Sequence, residues 1–104
     1  MGSKESRIER QLATGVKALG GMTFKFISPG MAGVPDRIVI LPGGTVHFVE
    51  LKAEGNIASR QQLRRIYKMQ ELGVTVMILT GREQVAHYLD NLRTSVVCEE
   101  LMNE

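Results

Sequence analysis

The first part of the chain carries hydrophobic residues at the period of a helix. Over residues 4–19 apolar side chains recur every three or four positions, which predicts an amphipathic helix. These side chains are Ile8, Leu12, Val16 and Leu19. The pair Gly20-Gly21 ends the pattern and therefore the helix.

A period of two replaces the helical period after these glycines. Residues 23–28, 36–41 and 45–53 have the alternation and the β-branched and aromatic content of strands. The turn Pro42-Gly43-Gly44 lies between the last two and predicts an antiparallel hairpin. The loop of residues 29–33 is rich in glycine and begins with proline.

The second half of the chain returns to a helical pattern. Ser59 and Gln62 have the spacing of a capping box, which predicts a helix from there to Leu72, with Gly73 at its C-terminal end. Leu63, Ile66, Tyr67 and Gln70 would share one side of this helix.

A buried strand and a last helix are predicted next. Residues 74–79 form a nearly continuous apolar run, which is typical of a strand buried on both faces. Thr80 and Glu83 are a second capping-box pair before a helix that reaches Leu92. The tail, residues 94–104, fits a short strand, a helix or a dimer-forming arm.

The element order α-β-β-β-α-β-α predicts an α/β fold with one mixed sheet covered by helices. A chain of 104 residues suits a single domain over residues 1–104. Gly2 and Ser3 resemble a cloning scar and are not expected to contribute to the fold. Neither a stretch of ~20 apolar residues nor a secretory pattern is present in the sequence, so a cytoplasmic protein that does not bind membranes is expected.

The residue types restrict the metal sites that are possible. The only cysteine is Cys98, which excludes an internal disulfide and a cysteine-rich zinc site. With only His47 and His87, a histidine-rich site is equally unexpected. His47 is predicted to be structural or at an interface, and His87 to be on the surface. A metal would therefore be a hard cation with oxygen ligands.

The net charge of +2 is small, but the basic residues are clustered. Lys4, Arg7 and Arg10 lie at the start of the first helix, and a solvated helix face explains such a run. Arg60, Arg64 and Lys68 are spaced four apart and form one ridge on a helix. A ridge of this kind also suits the phosphates of a nucleic acid.

The predicted hairpin places two carboxylates face to face. Asp36 lies seven residues before Gly43 and Glu50 lies seven after it. A turn centred on Gly43 therefore puts Asp36 opposite Glu50, and like charges in that arrangement destabilise a sheet. Lys52, on the same face as Glu50, and a divalent cation would offset the repulsion. Taken singly, Asp36 could be a turn residue and Glu50-Leu51-Lys52 an exposed ion pair.

These residues resemble a known nuclease signature. Pro35-Asp36 followed by Glu50-Leu51-Lys52 matches the PD-(D/E)xK pattern. Together with Glu9 in the leading helix and the Ser59–Gln62 pair, they resemble the VRR-NUC family in the short stand-alone form of phages and bacteria. The resemblance covers nearly the whole chain and implies a restriction-endonuclease-like αβββαβ core.

The resemblance also implies a catalytic site. Asp36, Glu50 and the Leu51 carbonyl would bind Mg²⁺, for which Mn²⁺ would substitute, and Glu9 would add a third carboxylate directly or through water. Lys52 would orient or deprotonate the attacking water. Gln62 would hold the polar network of the site or the substrate.

The expected function is a structure-selective DNA endonuclease that cuts Holliday junctions or other branched DNA as a homodimer, in a bacterial or phage-infected cell. A nicking or restriction-type nuclease on duplex DNA, and a non-catalytic DNA-binding or assembly module, are the alternatives. The expected dimer contact includes Met69, Val96, Val97 and Met102. The DNA-binding residues would be Arg7, Arg10, Arg37, Arg60, Arg64 and Lys68.

Overall fold

The structure, a computed structural model, describes residues 3–102 and contains the predicted elements in the predicted order. They are α1 (Lys4–Ala18), β1 (Met22–Lys25), β2 (Arg37–Ile40), β3 (Val46–Lys52), α2 (Arg60–Glu71), β4 (Val76–Thr80) and α3 (Gly81–Met102). The strands differ from the predicted ranges by a few residues at their ends. The α/β class is confirmed.

The four strands form one mixed sheet in the order β1-β2-β3-β4. The first three strands are antiparallel, and β4 pairs with β3 in parallel after the crossover through α2. In the hairpin, Arg37 faces Val49 and Ile40 faces Val46. This register is centred on Gly43, as predicted, so the positions Asp36 and Glu50 are opposite each other.

The core lies between the sheet and the pair of helices α1 and α3. Leu12 and Val16 of α1 are fully buried with Val39 and Val49 of the sheet and with residues of α3. A Cβ atom at Gly15 would lie 2.5 Å from Leu89, so a glycine is needed where the two helices approach each other. The face of the sheet that carries Val39 and Val49 is thus closed to solvent.

The opposite face is only partly covered, because α2 packs beside β4. Ile66 is the buried residue of α2, and the Gln70 side-chain amide donates to the Val76 carbonyl at 3.0 Å. Leu63 and Tyr67, predicted to share a side of α2 with Ile66, are exposed. Side chains of β1, β2 and β3 remain uncovered or half-covered on this face, and we call them the apolar sheet face: Met22, Phe24, Ile38, Ile40, Val46 and Phe48.

Both ends of the described chain belong to helices. Ser3, which resembles part of a cloning scar in the sequence, caps α1 because its side chain accepts the Ser6 N–H at 3.1 Å. Gly2 lies outside the described residues. The tail continues α3 as far as Met102, so the helix alternative is confirmed and the strand alternative is wrong for residues 94–102. Residues 103–104 lie outside the described part of the chain.

The start of α3 differs from the predicted capping box. The side chain that returns to the Thr80 N–H is that of Gln84, at 2.8 Å, and not that of Glu83. Across residues 3–102, no helix is both long and apolar enough to cross a membrane.

Candidate active site

Glu50 lies at the C-terminal end of β3 and Asp36 directly before β2. When the hairpin register is continued by one residue pair, Asp36 lies opposite Glu50, at the end of the sheet where β2 begins. Glu50 is 5% exposed, whereas Asp36 is exposed. The two carboxylates therefore share one face, with the first buried and the second at the solvent boundary.

One oxygen of Glu50 is held by two donors. The Lys52 ammonium lies 3.3 Å from Glu50 Oε2, and the Gln62 side-chain amide donates to the same oxygen at 3.1 Å. Lys52 reaches it because residues two apart on a strand point to the same face. The structure thus brings together Glu50, Lys52 and Gln62, as the sequence predicted.

The N-terminus of α2 fixes Gln62 in this position. Ser59 and Gln62 form the predicted capping box: Ser59 Oγ accepts the Gln62 N–H at 3.1 Å, and Gln62 Oε1 accepts the Ser59 N–H at 2.9 Å. The amide oxygen of Gln62 therefore caps the helix while its nitrogen contacts Glu50. Gly33 permits the preceding loop to approach α2, because a Cβ there would lie 2.8 Å from the Gln61 carbonyl oxygen.

The backbone carbonyl of Leu51 also belongs to this edge. Leu41 donates to the Thr45 carbonyl at 2.9 Å, so alternate residues of β3 from Thr45 onwards direct their backbone groups towards β2. Leu51 belongs to this series, and the same register puts Pro35 opposite it. Proline has no N–H to donate. The Leu51 carbonyl is therefore left without a ladder partner from residue 35.

Glu9 does not join the two carboxylates. Its Oε2 is 3.1 Å from Arg37 Nη2 and its Oε1 is 4.0 Å from Lys25 Nζ. Arg37 and Glu50 point to opposite faces of the sheet, because Arg37 pairs with Val49. Within residues 3–102, no three Asp, Glu, His or Cys side chains are grouped as a metal site. The predicted convergence of three acidic groups is wrong.

The same ion pair corrects the role of Arg37. This residue is 8% exposed and its guanidinium is bound to Glu9, so it is not available to DNA as predicted. The other predicted DNA-binding residues lie on the exposed surfaces of α1 and α2: Arg7, Arg10, Arg60, Arg64 and Lys68.

Burial controls the charge of Glu50. Desolvation raises the pKa of its carboxyl group above 4.5, and the neighbouring Asp36 raises it further. The Lys52 ammonium and the backbone N–H of Asp36 oppose this shift without cancelling it. The ionised form of Glu50 is therefore less stable in the folded protein than in water.

This donor set suits a hard divalent cation. Mg²⁺ prefers oxygen ligands, keeps several waters, and is held by one or two carboxylates. Asp36, Glu50 and the unpaired carbonyl of Leu51 supply such oxygens, and in the described chain no cation lies within 4.0 Å of the Asp36 carboxylate. A cation would also favour the ionised form that burial disfavours at Glu50.

The two histidines occupy structural and surface positions, as predicted. His47 lies on the helix-covered face of β3, where its Nδ1 is 2.8 Å from the Tyr88 hydroxyl, and burial lowers its pKa. Burial also raises the pKa of Tyr88. His87 is exposed on α3.

The basic residue that sequence reasoning missed is Arg82. It follows β4 by two positions and lies in the first turn of α3. Thr80 is the cross-strand partner of Lys52, so Arg82 starts its helix beside the candidate site. The signal in the sequence was a basic residue directly after a buried parallel strand, at the N-terminus of a helix.

Comparisons with known proteins found similar chains among curated proteins and solved structures. "Putative nuclease p44" of Acyrthosiphon pisum secondary endosymbiont phage 1 is 42% identical over 80 residues, which are 77% of this chain and 86% of that protein. A solved structure described as "VRR_NUC domain" has a TM-score of 0.80 and 32% identity, and the match covers 86% of this chain and 97% of the other. Another, "VRR_NUC domain protein", shares the fold at a TM-score of 0.58 and 17% identity, over 92% and 87% of the two chains.

No protein-family profile matches the chain. The phage relative is well above the level at which homology is secure and spans most of both proteins, and the first structural neighbour agrees with it in sequence as well as in fold. The residues that carry the resemblance, Pro35-Asp36 and Glu50-Leu51-Lys52, are brought together in space by the β2–β3 hairpin. The chain belongs to the VRR-NUC domain family.

Proposed function

We propose that this protein is a metal-dependent endonuclease that hydrolyses phosphodiester bonds of branched DNA, such as four-way junctions, as a homodimer. The observation that carries the proposal is the placement of Asp36 opposite Glu50, with Lys52 and Gln62 bound to Glu50, in a VRR-NUC chain. The name of the phage relative, a nuclease, agrees with it.

The residues suited to hold the metal are Asp36, Glu50 and Leu51 through its carbonyl. A bound Mg²⁺ or Mn²⁺ ion supplies Lewis-acid stabilisation of phosphate charge and lowers the pKa of coordinated water. Glu50 is fixed by two hydrogen-bonded partners, whereas the exposed Asp36 is accessible from solvent. This pairing gives a rigid ligand beside an accessible one.

Lys52 and Gln62 position the reacting groups. In its ion pair with Glu50 the Lys52 ammonium has further N–H donors, which it can direct at a phosphate oxygen or at the attacking water. In hydrolysis the water gives up one proton as its oxygen bonds to phosphorus, the bond from phosphorus to the leaving sugar oxygen breaks, and the leaving oxygen takes up one proton. Gln62 keeps Glu50 in place during this exchange through its hydrogen bond.

The charge on α2 supports DNA as the substrate. Arg60, Arg64 and Lys68 are exposed along the helix whose N-terminus holds Gln62. Contacts from such a ridge fall on phosphates, which fix the position of DNA without reading its sequence. Selection among DNA molecules would then depend on their shape.

The apolar sheet face supports a second copy as the partner. It lies on the same side of the sheet as Asp36 and Glu50, and Phe24 and Met22 are 41% and 57% exposed. A symmetric dimer would cover this face on both chains and bring two catalytic sites to one DNA molecule. Two such sites would allow two strands at a branch to be cut in one encounter.

The test compares three substrates in three metal conditions. A synthetic four-way junction, a linear duplex and a supercoiled plasmid are incubated with Mg²⁺, with Mn²⁺ and with EDTA. We expect symmetric nicks in the junction with either metal and none with EDTA. Asp36→Asn should lower the cleavage rate by more than ~100-fold, because it removes a metal ligand.

The matched control is Asp90→Asn, which removes an exposed carboxylate of α3 that is paired only with Arg93. It should cleave like the unmodified protein. Equal cutting of the linear duplex would contradict junction selectivity and favour a nicking or restriction-type enzyme. Binding without cleavage in both metals would contradict catalysis and favour a DNA-binding module.

A further inference from the structure

A groove lined by basic side chains lies between α1 and the first turn of α3. We call it the α1–α3 groove, and it encloses about 160 Å³. Its lining residues are Lys4, Arg7, Ile8, Glu54, Gly81 and Arg82. Arg7 and Arg82 also line its continuation along α1 past Gln11.

The cations of the groove are not neutralised by ion pairs. Throughout residues 3–102 no carboxylate lies within 4.0 Å of the charged groups of Lys4, Arg7 or Arg82. Glu54 is the one acidic lining residue, against three basic ones. Like charges facing one groove repel one another, and an anion there would relieve the repulsion.

The groove begins beside the candidate active site. Thr80 pairs with Lys52 across neighbouring strands, which are ~4.8 Å apart, and Gly81 and Arg82 follow Thr80 directly. The first turn of α3 is tied to α1, because the Gln11 side-chain amide donates to the Arg82 carbonyl at 3.1 Å. Arg82 and Arg7 are therefore carried by two packed helices next to the end of β3.

We infer that the α1–α3 groove binds a phosphodiester group of the DNA strand that flanks the reacting phosphate, with Arg7 and Arg82 as its main contacts and Lys4 at its rim. This inference rests on the proposed nuclease function. The groove would continue the path of the strand away from α2, so that DNA contacts both sides of the catalytic edge. The positive end of the α3 helix dipole adds favourable potential for the phosphate.

The test measures DNA binding without cleavage. A fluorescently labelled four-way junction is titrated in EDTA at several NaCl concentrations with the unmodified protein, Arg82→Gln, Arg7→Gln and the double variant. We expect the double variant to bind roughly tenfold more weakly at low salt. The slope of log K against log[NaCl] should become less steep by about 0.9 for each phosphate contact removed.

The matched controls are Lys17→Gln and Arg93→Gln, which remove exposed charges at the far end of α1 and in the middle of α3. Arg82→Lys should restore most of the affinity because it keeps the charge. Circular dichroism checks that each variant is folded. If the double variant and the controls lose the same affinity and the same slope, the groove is not a phosphate site.

The two proposals fail in different ways. In one outcome the unmodified protein shows no cleavage while the Arg7 and Arg82 variants still show the expected decrease in the salt slope of DNA binding. This result would contradict the nuclease function and support the groove as a phosphate site. Metal-dependent cleavage with unchanged binding by the double variant would contradict the groove alone.

Discussion

Glu50 combines burial, a like-charged neighbour and two hydrogen-bonding partners in one side chain. Its raised pKa means that the folded protein binds a proton at this carboxyl group more tightly than the unfolded chain does. In the absence of metal, stability from this group is fully present below the ordinary value of 4.5 and is lost as the pH rises through the raised value.

Replacing Glu50 with glutamine should remove this pH dependence. In EDTA at pH 7 we expect Glu50→Gln to unfold at the same temperature as the unmodified protein or higher, and its advantage should vanish as the pH falls below 4.5. Thermal unfolding followed by circular dichroism from pH 4 to pH 8 measures the difference. The exposed substitution Glu100→Gln serves as the control and should leave the pH dependence unchanged. A lower unfolding temperature for Glu50→Gln at pH 7 would contradict the expectation.

The facing carboxylates were predictable from sequence, whereas the partner of Glu9 was not. Strand alternation and a turn centred on Gly43 fix Asp36 opposite Glu50 without any long-range information. Glu9 reaches the sheet from a helix, so its partner depends on how α1 lies across β1 and β2. In the structure this packing brings the Glu9 carboxylate into ion pairs with Arg37 and Lys25.

At the scale of elements, the N-terminus of α2 connects helix stability to the site. Gln62 accepts a hydrogen bond from Ser59 with one atom of its amide and donates one to Glu50 with the other. The Ser59–Gln62 box is local and was predictable. The Thr80 N–H instead donates to the side-chain oxygen of Gln84, because a sequence that contains both Glu83 and Gln84 does not determine which side chain accepts this bond.

Two substitutions should separate the capping role of Gln62 from its role in the site. Gln62→Glu keeps an oxygen for the Ser59 N–H but replaces the donor to Glu50 with a carboxylate that repels it, so we expect lower stability and ~10- to 100-fold slower cleavage. Ser59→Ala removes only a cap and should cost about 1 kcal/mol of stability with a smaller effect on the rate. Urea unfolding and single-turnover cleavage of the junction measure the two effects.

A Gln62→Glu variant that cleaves at the normal rate would show that the contact with Glu50 has no part in the reaction. Near-normal cleavage by Ser59→Ala is also required, because the cap itself touches no reacting group.

The molecule as a whole has one sheet face closed by two helices and one that is half open. Periodicity predicted which residues alternate on each strand but not how far α2 would reach across them. The sequence-based dimer contact centred on Met69, Val96, Val97 and Met102. The apolar sheet face is a second uncovered surface, because α2 packs at β4 and leaves β1 and β2 free.

Two lysine substitutions should distinguish these surfaces. Phe24 on the sheet and Val97 on α3 are similarly exposed, at 41% and 47%, so neither change should unfold the monomer. We expect Phe24→Lys to halve the mass measured by light scattering, because it places a charge in the dimer contact, and Val97→Lys to leave the mass unchanged. The reverse result would move the contact to the end of α3, and a monomeric unmodified protein would contradict the homodimer.

Pro35 has a consequence for how this sheet can evolve. Any other residue at that position would bring an amide hydrogen opposite Leu51, and the hairpin could close by one more bond. A hairpin with this additional hydrogen bond would be more stable, but its Leu51 carbonyl oxygen would already accept the N–H of residue 35. Under the proposed function, a more stable hairpin and a Leu51 oxygen that is free to bind metal therefore place opposite demands on residue 35.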